Sequence, residues 1–143
     1  DRYAHLAHVG DSRIYLIRNG KMEQITEDHS LVNEQVKAGF ITAEEAARSR
    51  FRNIITRSVG FENEVQSDVF SLPIKEGDLF LLCSDGLNSM VPDNKILEII
   101  QQGKISDCCA RLEATANQYG GEDNITVIMV AVERKRMRIR RKR

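Results

Sequence analysis

The segment Leu79-Phe80-Leu81-Leu82-Cys83-Ser84-Asp85-Gly86-Leu87 decides how the rest of the chain is read. Five large apolar or sulfur-bearing residues run without interruption and stop at Ser-Asp-Gly. An apolar run of this length bounded by turn residues predicts a buried strand. The turn that follows presents one carboxylate, Asp85, at the strand's end. Two other places repeat the design. Val9-Gly10-Asp11-Ser12 closes an apolar segment, and Gly120-Gly121-Glu122-Asp123-Asn124 precedes one. Three aspartates at strand ends, each close to a glycine, can converge on a hard cation. Each is also an ordinary turn former, so position at the ends of the most apolar strands carries the argument.

Outward from this strand, the chain predicts an α+β order. Tyr3–Val9 and Ile14–Ile17 read as strands joined by a tight Gly10-Asp11-Ser12 connection, and Asn19-Gly20 is a hairpin turn before a returning strand over 21–26. The opening is therefore expected to be an antiparallel meander. Asp28, His29 and Ser30 are N-cap candidates for a helix over 31–38, and Thr42 with Glu45 forms a capping-box pattern for a second, short helix. A strand over 65–74 ends near Pro73, as edge strands do. Pro92-Asp93 opens a helix that stops at Gly103. Ser106 or Asp107 caps the next helix, whose apolar stripe is Ile105, Cys109, Leu112, Ala116 and Tyr119. Residues 125–132 are almost all apolar and predict a central strand buried on both faces. Strands and paired helices in this order favour an antiparallel sheet over a doubly wound parallel fold.

Composition narrows the classes. The chain has 143 residues, 41% hydrophobic and 29% charged, the profile of a single globular domain. The formal net charge of zero hides an asymmetry. Residues 134–143 hold 8 of the 21 basic residues, which leaves 13 basic against 21 acidic groups elsewhere, a net of −8. Such a basic run predicts disorder and suits an anionic membrane surface or nucleic acid. Three cysteines, Cys83, Cys108 and Cys109, contain no Cys-x-x-Cys and form no even framework. Free thiols point to a reducing, cytoplasmic setting.

Three covalent hydrolase chemistries fail on visible residues. A cysteine phosphatase loop on Cys83 needs arginine at position 89, which is Ser89. An aspartyl-phosphate enzyme needs Asp two before Asp85, where Cys83 stands. A nucleophile elbow needs Gly two before Ser84, where Leu82 stands. Asp11, Asp85 and Asp123 instead supply hard oxygen donors of the kind Mg²⁺ or Mn²⁺ takes. His5 and His8 lie three apart on a strand and face opposite sides. His29 beside Asp28 reads as a structural partner at a helix start. Arg48, Arg50, Arg52 and Arg57 form a basic run that suits either phosphate or solvent.

Val9-Gly10-Asp11-Ser12-Arg13, Thr26-Glu27-Asp28-His29-Ser30, Leu82-Cys83-Ser84-Asp85-Gly86-Leu87 and Gly121-Glu122-Asp123-Asn124-Ile125-Thr126 occur in this order. Together they resemble the motifs of the metal-dependent PP2C-type (PPM family) Ser/Thr protein phosphatases, the bacterial branch most of all. The resemblance implies an antiparallel β-sandwich flanked by helices in α-β-β-α layers. It implies hydrolysis of phosphoserine and phosphothreonine in proteins by a metal-activated water, opposing a Ser/Thr kinase in the cytoplasm. It assigns Asp85 and Asp123 to a two-metal Mn²⁺ or Mg²⁺ core and Asp11 to a third ion. It divides the chain into 1–133, the C-terminal part of a phosphatase domain with a flap at about 39–60, and a basic tail at 134–143. The family's Asp-Gly-x-Gly-Gly motif does not occur in these 143 residues. The expectation is therefore an incomplete site, weak or inactive alone, with a sheet edge free for self-association. The alternative is a non-catalytic fragment or pseudophosphatase that binds phosphoproteins or, through its tail, anionic surfaces.

Overall fold

The computed structural model describes residues 2–134, so the basic run lies outside the described residues from Lys135 onward. The elements are strands β1 (Tyr3–His8), β2 (Arg13–Arg18) and β3 (Lys21–Gln24), then helices α1 (Leu31–Lys37) and α2 (Ala43–Arg48). Strands β4 (Asp68–Pro73) and β5 (Leu79–Cys83) follow. Helices α3 (Asp85–Asn88), α4 (Asp93–Gln101) and α5 (Ile105–Gln118) precede β6 (Val127–Ala131). Every strand pairing is antiparallel. One sheet has the order β3-β2-β5-β6 and the other consists of β1 and β4.

The four-stranded sheet is sandwiched because β2 and β5 are apolar on both faces. Ile14, Leu16 and Phe80 point to the two-stranded sheet and meet Leu6 and Leu72. Their neighbours in sequence, Tyr15, Ile17, Leu81 and Cys83, point the other way, onto Ile96, Ile99, Leu112 and Ala116 of α4 and α5. The two-residue side-chain period of a strand divides the core in this way. The described residues thus build three layers, sheet on sheet on helix, of the four expected. Asn19 and Gly20 both have positive φ, 53° and 74°, as the β2–β3 hairpin turn requires.

Local signals held where chain neighbours decide them. Ser30 caps α1 by accepting from Asn33 N–H, and Thr42 and Glu45 complete the capping box of α2. Signals that depend on sheet membership did not. β1 and β2 are not a hairpin: β1 pairs with β4 in the outer sheet, and Gly10 (φ 102°) carries the chain across to the inner one. The burial patterns give the reason. β1 is exposed on alternate residues, whereas Ile14–Ile17 are buried throughout, so only β2 can lie between two layers. β6 is likewise not central. Among the described residues it bonds β5 alone, and Ile128 and Val130 remain 51% and 46% exposed.

Two helix details also differ from expectation. The N-cap of α5 is Lys104, with Ser106 and Asp107 inside the first turn. Its buried stripe is Cys108, Leu112 and Ala116, because Ile105 and Tyr119 project beyond the ends of the helix–sheet contact and Cys109 turns partly outward. The Ser84-Asp85-Gly86 turn opens a one-turn helix, α3, that plugs Leu87 into the core.

The loop before β5 is fixed by an ion pair. Asp78, 1% exposed, accepts from Arg18 Nε at 2.8 Å, Arg18 Nη2 at 2.7 Å and the Lys75 N–H at 2.7 Å. The Arg18 bonds, helped by the Lys75 amide, hold its carboxyl below the usual range. A depressed carboxyl stabilises the fold above its unfolded value of 3.8, and that stability is lost as pH falls through the folded value. Asp78→Asn is therefore expected to lower the urea midpoint most at neutral pH. The gap to the parent chain should narrow below pH 3.8. Urea titrations at pH 7 and at successive steps into acid check it.

Candidate functional site

The strand register gathers the three aspartates at one end of the inner sheet. Arg13 stands opposite Cys83, and Cys83 opposite Val127. Asp11 before β2, Asp85 after β5 and Asp123 before β6 therefore leave the sheet on the same side. The 123–126 segment is locked to α3. Ser84 Oγ donates to Asn124 O at 2.9 Å and accepts from Thr126 N–H at 3.0 Å, while Ser84 N–H donates to Thr126 O at 3.1 Å. Gly86 makes this approach possible, since a Cβ there would lie 2.4 Å from Asn124 O.

Asp11 and Asp85 line one cleft of about 460 Å³. Arg13, Asp28, Asn88 and Ser89 line the same wall, and Ala43, Ala46, Ala47, Arg52 and Asn53, from α2 and the segment after it, line the other. Burial, and then the Asp85 carboxylate beside it, push the Asp11 carboxyl above its ordinary range. Asp123 reaches the same end of the sheet but does not line this cleft. It is exposed, and its Oδ1 accepts from the Asn124 N–H at 2.6 Å. The structure thus brings two of the three predicted carboxylates into one cleft and leaves the third outside its lining.

The base of the cleft carries a residue that the sequence reading quoted but gave no role. Arg13 grips Asp28 with two nitrogens, Nε at 3.0 Å from Oδ1 and Nη2 at 2.7 Å from Oδ2, and its Nη1 reaches Tyr15 Oη at 3.1 Å. Burial is the largest influence and opposes the guanidinium charge, but Asp28 and Tyr15 together outweigh it and raise its pKa. A forked Arg–carboxylate pair is rigid as well as charged. It fixes the floor beside Asp11. Nothing in the local sequence says that Arg13 and Asp28, 15 residues apart, will meet.

The basic run serves several purposes rather than one. Arg52 faces the cleft, Arg57 pairs with Asp68 at 3.0 Å, and Arg50 lies over the Phe51 ring at 4.6 Å. Cys83 is excluded as a nucleophile on physical grounds as well, because burial pushes its thiol up to about 12. His5 is exposed and bonds Ser71 Oγ, while His8 is buried, so the two face opposite sides as expected. His29 is a structural partner, though to Gly10 and Asp68 rather than to Asp28.

Residues 1–125 match the family profile described as Protein phosphatase 2C. The chain belongs to the protein phosphatase 2C family. It is 46% identical over 126 residues to the serine/threonine phosphatase stp of Listeria innocua, covering 87% of this chain and 50% of that protein. The solved S. agalactiae serine/threonine phosphatase superposes with a TM-score of 0.86 at 45% identity, over 92% of this chain and 55% of that one. A second solved member, the catalytic domain of PstP in complex with 2 manganese ions, superposes with a TM-score of 0.78 at 38% identity, over 94% and 55%. The chain spans about half the length of the curated relatives it matches. Metal dependence is a property of the family.

Proposed function

We propose that this chain forms part of a metal-dependent hydrolase of phosphoserine and phosphothreonine in proteins. One observation supports it above the others: Asp11 and Asp85 crowd one cleft, and the Asp11 carboxyl is held up by burial and by its neighbour's charge. Two carboxylates gathered in one cleft are the unfavourable half of an arrangement that a divalent cation completes. The donors are hard oxygens, which fit Mg²⁺ or Mn²⁺. The manganese-bound PstP relative favours Mn²⁺.

In this reading Asp85 and Asp123 hold the core ions and Asp11 holds a third. The ions supply an activated water and charge neutralisation at the phosphoryl oxygens. The chain's own residues orient and bind. Arg13, tied to Asp28, keeps the floor rigid. Arg52 and Asn53 on the facing wall donate to the incoming phosphate, and Ala43, Ala46 and Ala47 give the substrate chain an apolar wall. The 39–60 segment is then the flap of the site. Substrates are phosphoproteins of the cytoplasm made by a Ser/Thr kinase. The β6 edge is available to pair with further chain or with a second copy. The basic run from Arg134 would add anionic-surface binding.

Isothermal titration of the 143-residue chain with Mn²⁺ tests the reading, alongside hydrolysis of a phosphothreonine peptide. The expected result is saturable binding, weakened by Asp123→Asn, with turnover close to background because the acidic set within this chain is incomplete. Absence of Mn²⁺ binding would remove the metal reading. Vigorous turnover would show that these residues suffice.

A further inference from the structure

Asp11 is flanked by two backbone groups, and each is held by a buried imidazole. On one side the Gly10 N–H donates to His29 Nδ1 at 3.1 Å, and the His29 N–H donates to Gly10 O at 2.8 Å. On the other side His8 Nε2 donates to Ser12 O at 2.8 Å. The two rings touch, with centroids 4.8 Å apart and planes at 43°. They are 7% and 5% exposed. Burial holds His8 below the ordinary imidazole range, so its ring stays neutral with the proton on Nε2.

His29 also reaches away from the loop. With Nδ1 accepting from Gly10, the neutral ring carries its proton on Nε2, which donates to Asp68 Oδ2 at 3.0 Å. Asp68 Oδ1 accepts from Arg57 Nη1 at 3.0 Å. The Thr56 N–H donates to His29 O at 2.8 Å, and Ser30 bridges to Ile55. One residue therefore bonds the Asp11 loop, the chain just before residue 57 and the start of β4. His8, His29 and Asp68 could together be taken for a transition-metal site. The geometry opposes that. The Arg57 guanidinium already lies on Asp68 and 3.3 Å from His29 Nε2, where a cation would have to go.

We propose that His8 and His29 are positioning residues. They hold the backbone on both sides of Asp11, and His29 ties that loop, through Asp68 and Arg57, to the exit of the 39–60 segment. The proposal rests on the reading of Asp11 as a metal ligand only for its functional consequence. A ligand loop so gripped keeps its carboxylate in place and in register with the chain that leaves the 39–60 segment.

Amide hydrogen exchange at Gly10 and NMR titration of the Asp68 carboxyl, both on the full chain, separate the two links. An Asn carbonyl reaches the position of Nδ1, and a Gln amide reaches that of Nε2. His29→Asn is expected to keep Gly10 protection within about threefold of the parent and, with no donor at the Nε2 position, to let the Asp68 carboxyl rise toward its ordinary range. His29→Gln should do the reverse. His8→Gln should preserve Asp11-dependent Mn²⁺ binding, and His8→Leu should weaken it about tenfold. Combined with Asp11→Asn, His29→Gln should cost no further Mn²⁺ affinity. Equal losses at Gly10 in the Asn and Gln variants would overturn the proposal, as would losses additive with Asp11→Asn. Core amides of Leu81 and Leu112 report whether either variant has unfolded, and the His8 pair then carries the test. If the parent chain binds no Mn²⁺, the metal reading fails while the Gly10 and Asp68 split still decides the positioning.

Discussion

Gly86→Ala is expected to destabilise the chain by about 3 kcal/mol and to disrupt the aspartate end of the sheet. The sign is informative because two effects oppose one another. Gly86 lies within the helical turn α3, and its φ is not in the left-handed region, so helix propensity alone would make alanine better by about 1 kcal/mol. The added Cβ, however, would stand 2.4 Å from Asn124 O and 2.9 Å from Asn124 C. Both are backbone atoms, and the 123–126 segment cannot give easily. Ser84 holds Asn124 O and both backbone groups of Thr126, and Val127 is already in register with Cys83. Either α3 or the Asp123 loop must move. Urea unfolding should show the loss, and Mn²⁺ titration should show weaker binding. A stabilised Gly86→Ala chain would mean that propensity wins and that the close approach is not maintained in solution.

Asp85→Asn is expected to act in opposite directions on metal binding and on stability. Loss of the carboxylate should weaken Mn²⁺ binding by at least about a hundredfold, since outer-sphere partners alone are worth ten- to a hundredfold. The metal-free chain should instead become slightly more stable, by about half a kcal/mol, because Asp11 loses a like-charged neighbour. Calorimetric titration and urea unfolding of the same preparation check both. Loss of binding accompanied by loss of stability would indicate a structural carboxylate. The predicted pair of signs is what a binding site under electrostatic strain produces.

Much of the local structure was legible because its causes are local. The Asn19-Gly20 turn, the Ser30 cap and the Thr42–Glu45 capping box each depend on residues a few positions apart, and each forms as read. The Leu79–Cys83 strand was legible too, since an apolar run needs burial on both sides whatever its neighbours are. The path of β1, the edge position of β6 and the stripe of α5 were not. They turn on which strand pairs with which, and that is settled by total burial across layers rather than by any window of sequence.

The candidate site divides along the same line. The sequence by itself determined which groups can do chemistry: Asp11, Asp85 and Asp123 at the ends of apolar segments, with Cys83 and Ser84 discounted as nucleophiles and the run at 134–143 set apart by charge. Only the tertiary structure decided how those groups meet. Antiparallel register brings Asp11 and Asp85 into one cleft and leaves Asp123 outside its lining. It also joins Arg13 to Asp28, and His8 and His29 to the backbone around Asp11. These partners are 4 to 19 residues apart along the chain. Sequence can say that a buried imidazole or guanidinium needs a partner, but only the folded register places one within about 3 Å.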